Sequence, residues 1–164
     1  MTRFALPLSA LLLACREAPR RTCVESLCFE WAESHTTQTS GRRHTLRSDA
    51  WDGAWIDVQS WEPGPNAPTS IGALRTQFAR LRELTAPARS TSMRDGSING
   101  RPAAVEDAVI DWRGHAYRRV TWVVPSVAAG ARWIAVDVTA RAEDWDRASP
   151  RVRRYIESAR WETR

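Results

Sequence analysis

The clearest constraint on the fold of this chain is the strict alternation of side chains in residues 132–140. Successive side chains of a β-strand point to opposite faces of a sheet, so every second residue shares a face. One such set is aliphatic throughout and consists of Ile134, Val136, Val138 and Ala140. The pattern predicts a strand that is buried on at least one face.

Residues 54–61 alternate in the same way. One of their faces carries Trp55, Asp57, Gln59 and Trp61. Apolar or β-branched runs bounded by turn residues predict further strands at 28–31, 42–47, 103–112 and 116–124. Residues 113–115 predict a hairpin turn, whereas the polar residues 34–41 and the proline-rich residues 63–68 predict loops.

Two segments have the pattern of an amphipathic helix. In the first, Ser70 is a candidate N-cap and Pro87 marks the end. Its apolar face would carry Ile71, Leu74, Phe78, Leu81 and Leu84. The pair Ser149-Pro150 predicts the start of the second helix, because a serine can cap free amides and a proline at the first helical position loses no hydrogen bond. The buried face of this helix would carry Val152, Tyr155, Ile156 and Ala159.

The order of these elements predicts the fold class. Strands, one long helix, a three-strand meander and a closing helix are typical of an α+β domain with an antiparallel sheet, and not of an alternating βαβ fold. A chain of 164 residues, 43% of them hydrophobic, fits one such domain, which we place at residues 28–164. The apolar helix faces can be buried on the sheet without a partner chain.

The N-terminal residues have the order of a secretory signal peptide. The apolar run in residues 4–14 is shorter than the roughly 20 residues that a membrane-spanning helix needs. Residues 12–15, Leu-Leu-Ala-Cys, resemble the bacterial lipobox, so we expect residues 1–14 to be removed and Cys15 to carry a lipid such as palmitate. The alternative is an ordinary signal peptide, or a wrongly assigned start of the chain, in which case Cys15 has no role as a lipid attachment site. Residues 15–27 are then a polar tether beside the bilayer.

The remaining cysteines fit an oxidising compartment. Cys23 and Cys28 form an even pair in a chain that is exported, so we expect an intramolecular disulfide. The histidines do not cluster with these cysteines in sequence, and we therefore predict that the protein holds no metal.

Several short segments resemble the PsbP-like and DcrB-like families. They are Ile98-Asn99-Gly100-Arg101-Pro102-Ala103, Tyr117-Arg118-Arg119-Val120, residues 140–145, and residues 155–161. The resemblance covers about residues 42–162 and implies a PsbP-like sandwich, an antiparallel sheet with one long helix and a C-terminal helix packed on it. It also implies a non-enzymatic binder with no cofactor, and it supplies no catalytic residue.

Catalytic motifs of known spacing are absent from the sequence. There is no G-x-S-x-G, H-E-x-x-H or phosphate-binding loop, so we predict that the protein is not an enzyme. A secreted hydrolase that uses an unrecognised site formed by His44, His115 and Asp111 is one alternative.

The excess of basic residues, 24 against 19 acidic residues, is a feature of many nucleic-acid-binding proteins. Because acids are interspersed with the arginines and the chain is exported, we predict no nucleic-acid partner.

The tryptophans give the main functional hypothesis. Trp55, Trp61 and Trp133 lie on strand faces that also carry polar residues, so they are candidates for contacting a protein or glycan partner. The alternative is that helices cover both faces of the sheet and that these rings belong to the core. We therefore expect a lipid-anchored, non-enzymatic binding protein of the bacterial cell envelope. A periplasmic chaperone that shields apolar segments is a further alternative.

Overall fold

A computed structural model describes residues 20–31, 35–68, 70–77, 88–125 and 132–162. Its strands are β1 Arg20–Val24, β2 Leu27–Trp31, β3 Thr36–Ser40, β4 Arg43–Arg47, β5 Trp55–Trp61, β6 Ala88–Ile98, β7 Arg101–Trp112, β8 His115–Val124, β9 Trp133–Arg141 and β10 Arg160–Trp161. Helix α1 begins at residue 71 and is described to residue 77, and helix α2 spans Trp145–Ser158. The predicted roles of Cys15, Phe78, Leu81, Leu84 and Pro87 lie outside the described residues.

The strands form two antiparallel sheets. The large sheet has seven strands in the order β3-β4-β5-β9-β8-β7-β6, and the small sheet has three in the order β1-β2-β10. The strands predicted at 28–31, 42–47, 54–61, 103–112, 116–124 and 132–140 all match observed strands within a few residues. The predicted α+β class, an antiparallel sheet with a C-terminal helix on it, is therefore confirmed.

One face of the large sheet is covered by α2 and the small sheet, and we call it the α2 face. It contributes Ile56, Val58, Ile134, Val136 and Val138 to a continuous apolar core. Helix α2 adds Val152, Tyr155 and Ile156, three of the four residues predicted for its apolar side, and the fourth, Ala159, is buried directly after the helix ends. Trp161 follows the helix, packs against this core and donates from Nε1 to the carbonyl oxygen of Ile98 at 2.8 Å.

The opposite face is covered by α1 at one end, and we call it the α1 face. Ser70 caps this helix as predicted, because its Oγ accepts from the amide of Ala73 at 3.2 Å. Leu74 is 1% exposed and packs on the sheet in a second, smaller core. The sheet side of that core consists of Ala104, Val123, Trp133 and Ala135. The helix therefore covers only part of the α1 face within the described residues.

Two tight turns fix the register of the meander. Asn99 and Gly100 connect β6 to β7, and both have positive φ, 43° and 79°. Arg113 and Gly114 connect β7 to β8 with φ of 51° and 80°. Two consecutive residues in the left-handed region are the geometry that joins antiparallel strands without splaying them. The family-like segment at residues 98–103 is thus a hairpin turn, and the turn predicted at 113–115 is confirmed.

Three strands differ from the sequence expectation. Residues 20–24 form β1, which pairs with β2, where we expected an irregular tether over residues 15–27. Residues 36–40 form β3, where we expected a loop. Residues 88–98 form β6, which had no strand prediction. All three lie at the edge of a sheet and carry mostly polar side chains, so their apolar periodicity is weak.

Helix α2 begins before the predicted Ser149-Pro150 start. It starts at Trp145, and Pro150 lies inside it. Trp145 and Ala148 are buried, which extends the apolar side of the helix by one turn. Pro150 is the sixth residue of the helix and has no amide to donate to the carbonyl oxygen of Asp146, and the burial of Trp145 and Ala148 offsets this loss.

The expected disulfide joins Cys23 and Cys28, which lie directly opposite each other on β1 and β2. The carboxylate of Glu162 lies beside the two sulfur atoms. Because the sulfurs are bonded to each other, they are not thiolates that could bind a metal. Within the described ranges, neither helix has the length and continuous apolar character that crossing a bilayer requires.

Candidate binding cleft

The half of the α1 face beyond α1 holds a row of polar side chains that crosses the sheet at right angles to its strands. Its members are successive register partners on β4, β5, β9, β8 and β7. We call them the polar row, and they are Thr45, Asp57, Asp137, Thr121 and Glu106. Asp57 is 3% exposed and Glu106 is 4% exposed. Burying carboxylates on a sheet face is costly, so such a row is a candidate functional site.

Asp57 is the most fully bonded member of the polar row. Arg43 donates to it twice, from Nε to Oδ1 at 3.2 Å and from Nη2 to Oδ2 at 2.6 Å. The hydroxyl of Thr45 donates to Oδ1, and Trp55 donates from Nε1 to Oδ2 at 3.2 Å. Hydrogen bonding to Asp57 also raises the pKa of Arg43. The carboxylate of Asp57 is therefore held in one orientation by a fixed set of donors.

Asp137 has a different environment from its register partner. Burial raises its pKa above the ordinary value of 3.8, and the charge of Asp57 acts in the same direction. The hydrogen bond from Thr121 and the charge of Arg119 oppose this shift. Two carboxylates therefore stand side by side, one with four hydrogen-bond donors and one whose pKa is raised.

Arg119 lies between the two ends of the row. Its Nη2 is 3.9 Å from Oε2 of Glu106. Within the part of the chain that the structure describes, its buried Nε has no hydrogen-bond acceptor. The side chain of Arg119 as a whole is 30% exposed, so its outer Nη groups can donate to a molecule that enters the site.

An aromatic cluster stands beside the polar row, and we define it as Trp55, Trp112 and Tyr117. The ring centroids of Trp55 and Tyr117 are 5.5 Å apart, those of Trp112 and Tyr117 are 5.6 Å apart, and those of the two tryptophans are 6.3 Å apart. Arg47 lies over the ring of Trp55 at 5.0 Å, and Arg113 lies over that of Trp112 at 4.8 Å. Trp112 is 47% exposed, which is unusual for a ring of this size.

Three members of the polar row, Thr45, Asp57 and Asp137, line a cleft of about 530 Å³ together with the aromatic cluster. A second cavity of about 300 Å³ lies against the same three rings and is also lined by Asp52, Arg141 and Asp144. The first volume is within the range of about 300 to 1,000 Å³ that is typical of ligand sites. The aromatic cluster therefore separates two adjoining cavities that one elongated ligand could contact together.

The three tryptophans proposed from the sequence have different positions. Trp55 lines the cleft. Trp133 is 5% exposed and Trp61 is half-buried against it, with ring centroids 5.9 Å apart, under the N-terminal end of α1. For Trp133 the prediction of a partner contact is wrong, because the helix and neighbouring strands cover the ring. Trp61 also belongs to this packing.

The residues of the hydrolase alternative do not converge. His44 lies on β4 and shares the α2 face with its register partner Val58. His115 lies at the start of β8 on the α1 face, opposite Trp112, whereas Asp111 lies on β7 and points to the other face. This dispersal counts against a site formed by these three residues.

The site itself was missed by the sequence analysis, although a signal exists. Asp57 and Asp137 each interrupt an otherwise apolar strand at a position that faces a covered side of the sheet. Other acids of the sheet simply pair with arginines, as Asp107 does when it accepts two hydrogen bonds from Arg118 at 2.9 and 2.7 Å on the α2 face. The alignment of acids across strands depends on register, which the sequence does not specify.

No protein-family model matches this chain, and no curated protein is significantly similar to it in sequence. Solved structures with the same fold exist. A protein from Bacteroides thetaiotaomicron has a TM-score of 0.59 and 11% identity over 90% of this chain, which spans about half of that protein, 49%.

Two further solved structures are of proteins whose names describe a process or a family. The LpqN protein, involved in cell envelope biogenesis of Mycobacterium tuberculosis, has a TM-score of 0.57 and 13% identity, covering 85% of this chain and 80% of its own. The cyanobacterial PsbP of Synechocystis has a TM-score of 0.59 and 11% identity, covering 88% of this chain and 93% of its own. At such low identity these comparisons establish the fold alone, and that fold is PsbP-like.

Proposed function

We propose that this protein is a lipid-anchored, non-enzymatic binding protein of the bacterial cell envelope, which holds a macromolecule in the cleft of the α1 face. The observation that carries the proposal is the buried polar row beside the exposed ring of Trp112. Buried charges that add no apolar packing are retained most often where they serve a ligand. An aromatic ring with a polar rim is typical of binding hot spots.

The proposed anchor is the lipidated Cys15. It rests on the order of a basic start, a short apolar run and a lipobox-like Leu-Leu-Ala-Cys. Several arginines follow within a few residues, and each can add about 1 kcal/mol of attraction to an anionic bilayer surface. A structural neighbour that is involved in cell envelope biogenesis is compatible with this location.

The bonding of the carboxylates favours binding over catalysis. A general base or nucleophile needs a free lone pair directed at the substrate. The oxygens of Asp57 accept from Arg43 twice, from Thr45 and from Trp55, so its lone pairs are largely occupied. The dispersal of His44, His115 and Asp111 leaves the hydrolase alternative without the base that it requires.

The chaperone alternative has less support than the binding cleft. A protein that shields apolar segments needs a groove lined by exposed aliphatic and aromatic side chains. Among the described residues, Trp112 is the large hydrophobic side chain that is exposed, and charged or hydroxyl groups surround it.

Two measurements test the proposal in intact cells. Cys15→Ser should abolish incorporation of a radioactive fatty acid, and labelling that persists would contradict the anchor. A photoreactive p-benzoylphenylalanine at position 112 should give a discrete crosslinked product of higher mass. The same group at the exposed position 153, on α2, is the control and should not give that product. Equal products from both positions, or none from position 112, would refute a binding role for the cleft.

A further inference from the structure

We infer that the ligand of the cleft is an uncharged oligosaccharide, with one sugar ring against Trp112 and its hydroxyl groups bonded along the polar row. The inference rests on the proposed function and narrows its partner to one chemical class. It is drawn from the balance of charge, the pairing of donors with acceptors and the shape of the two cavities.

The charges of the cleft floor balance each other. The two cavities together are lined by four arginines and four aspartates, which are Arg43, Arg47, Arg119 and Arg141, and Asp52, Asp57, Asp137 and Asp144. Asp57 is paired with Arg43, and Asp137 lies within the electrostatic influence of Arg119. A site without a large excess of either charge has little electrostatic preference for an ionic ligand over a neutral one.

The polar groups are arranged to exchange hydrogen bonds in both directions. The carboxyl group of Asp137 can accept hydrogen bonds, and the side chain of Arg119, which is 30% exposed, can donate them. The hydroxyl of Thr139, on the same face, adds a group that can do either. Sugar hydroxyls likewise donate and accept, so neighbouring hydroxyls on one ring can match this set.

The aromatic cluster provides the apolar surface that a sugar ring needs beside these polar groups. A sugar ring presents C–H groups on its faces and hydroxyls at its rim, so it needs an aromatic surface next to polar groups. Trp112 is 47% exposed and borders both cavities. A chain of sugar units could cross this ring and occupy both cavities, whereas a fatty chain would meet charged side chains on either side.

The test uses the full chain extracted from membranes in a detergent without a sugar head group. The probes are neutral oligomers of two to five units of glucose, mannose, galactose or N-acetylglucosamine, and uronic-acid oligomers of the same lengths. Binding is measured by isothermal titration calorimetry. We expect at least one neutral oligomer to bind, and the uronic-acid oligomers to bind more weakly.

Matched variants locate the site. Trp112→Ala should weaken binding by roughly fivefold, which corresponds to about 1 kcal/mol for an aromatic contact, and Trp112→Phe should restore most of the affinity. Trp61→Ala, on the same face but outside the cleft, should leave the affinity unchanged. Far-ultraviolet circular dichroism checks that each variant is folded.

The outcomes separate the inference from the proposed function. If no neutral oligomer binds while position 112 still crosslinks to a protein in cells, the saccharide inference is wrong and the binding function stands. If only uronic-acid oligomers bind, the assignment of an uncharged ligand is wrong. If shorter sugars are released, the saccharide is supported and the non-enzymatic role is overturned. If neither binding nor crosslinking occurs, both fail.

Discussion

Asp137→Asn tests an electrostatic feature of the cleft, a carboxylate whose pKa is raised by desolvation. Asparagine keeps the size of the side chain, and its carbonyl oxygen can still accept from Thr121. The variant removes the ability to ionise and changes little else. If the pKa of Asp137 is raised by burial, the variant should gain stability relative to the original chain as the pH rises.

The sign and the limit of this effect follow from linkage. Because the folded-state pKa of Asp137 lies above the ordinary value of 3.8, the folded protein holds a proton that the unfolded chain releases. Its contribution to stability is complete below pH 3.8 and is lost as the pH rises through the folded-state pKa. One proton gives a slope of at most about 1.4 kcal/mol per pH unit.

The assay is urea unfolding of both proteins at several pH values between 4 and 7, with the difference in free energy of unfolding plotted against pH. The free energy of unfolding of Asp137→Asn should rise relative to that of the original chain as the pH increases. The rise should stop once the pH passes the folded-state pKa of Asp137. Asp95→Asn is the control, because that aspartate is exposed and pairs with Arg75 on the surface. A difference for Asp137→Asn that does not change with pH would show that its carboxyl titrates as in the unfolded chain, and the reasoning would be refuted.

Three further changes test the packing, all by the free energy of unfolding in denaturant. Trp51→Ala should cost about 3 to 5 kcal/mol, because this ring is fully buried; a loss below 1 kcal/mol would contradict its place in the core. Gly96→Ala should cost about 1 to 3 kcal/mol, since an added Cβ would lie 2.5 Å from Cγ2 of Val105; an unchanged stability would contradict this close approach. Replacing both Cys23 and Cys28 by alanine should cost about 2 kcal/mol, as expected for a short loop, and a reducing agent should then have no further effect.

The sequence by itself determined the elements that have strong apolar periodicity. The alternation in β5 and β9, the cap at Ser70 and the apolar side of α2 all survive in the structure, because each depends only on neighbours along the chain. The disulfide between Cys23 and Cys28 also followed from the cysteine count and the expected compartment. Where periodicity was weak, as in the polar edge strands β1, β3 and β6, the prediction failed.

Tertiary structure decided the candidate site. Asp57 and Asp137 are 80 positions apart in the numbering of the chain, and only the antiparallel register of β5 and β9 places them side by side. A shift of one residue would have turned either of them to the other face of the sheet. The same register buried Trp133 under α1 and left Trp112 exposed beside the polar row. Which tryptophan can meet a partner is set by what covers each part of the sheet, and that depends on contacts between residues far apart in sequence.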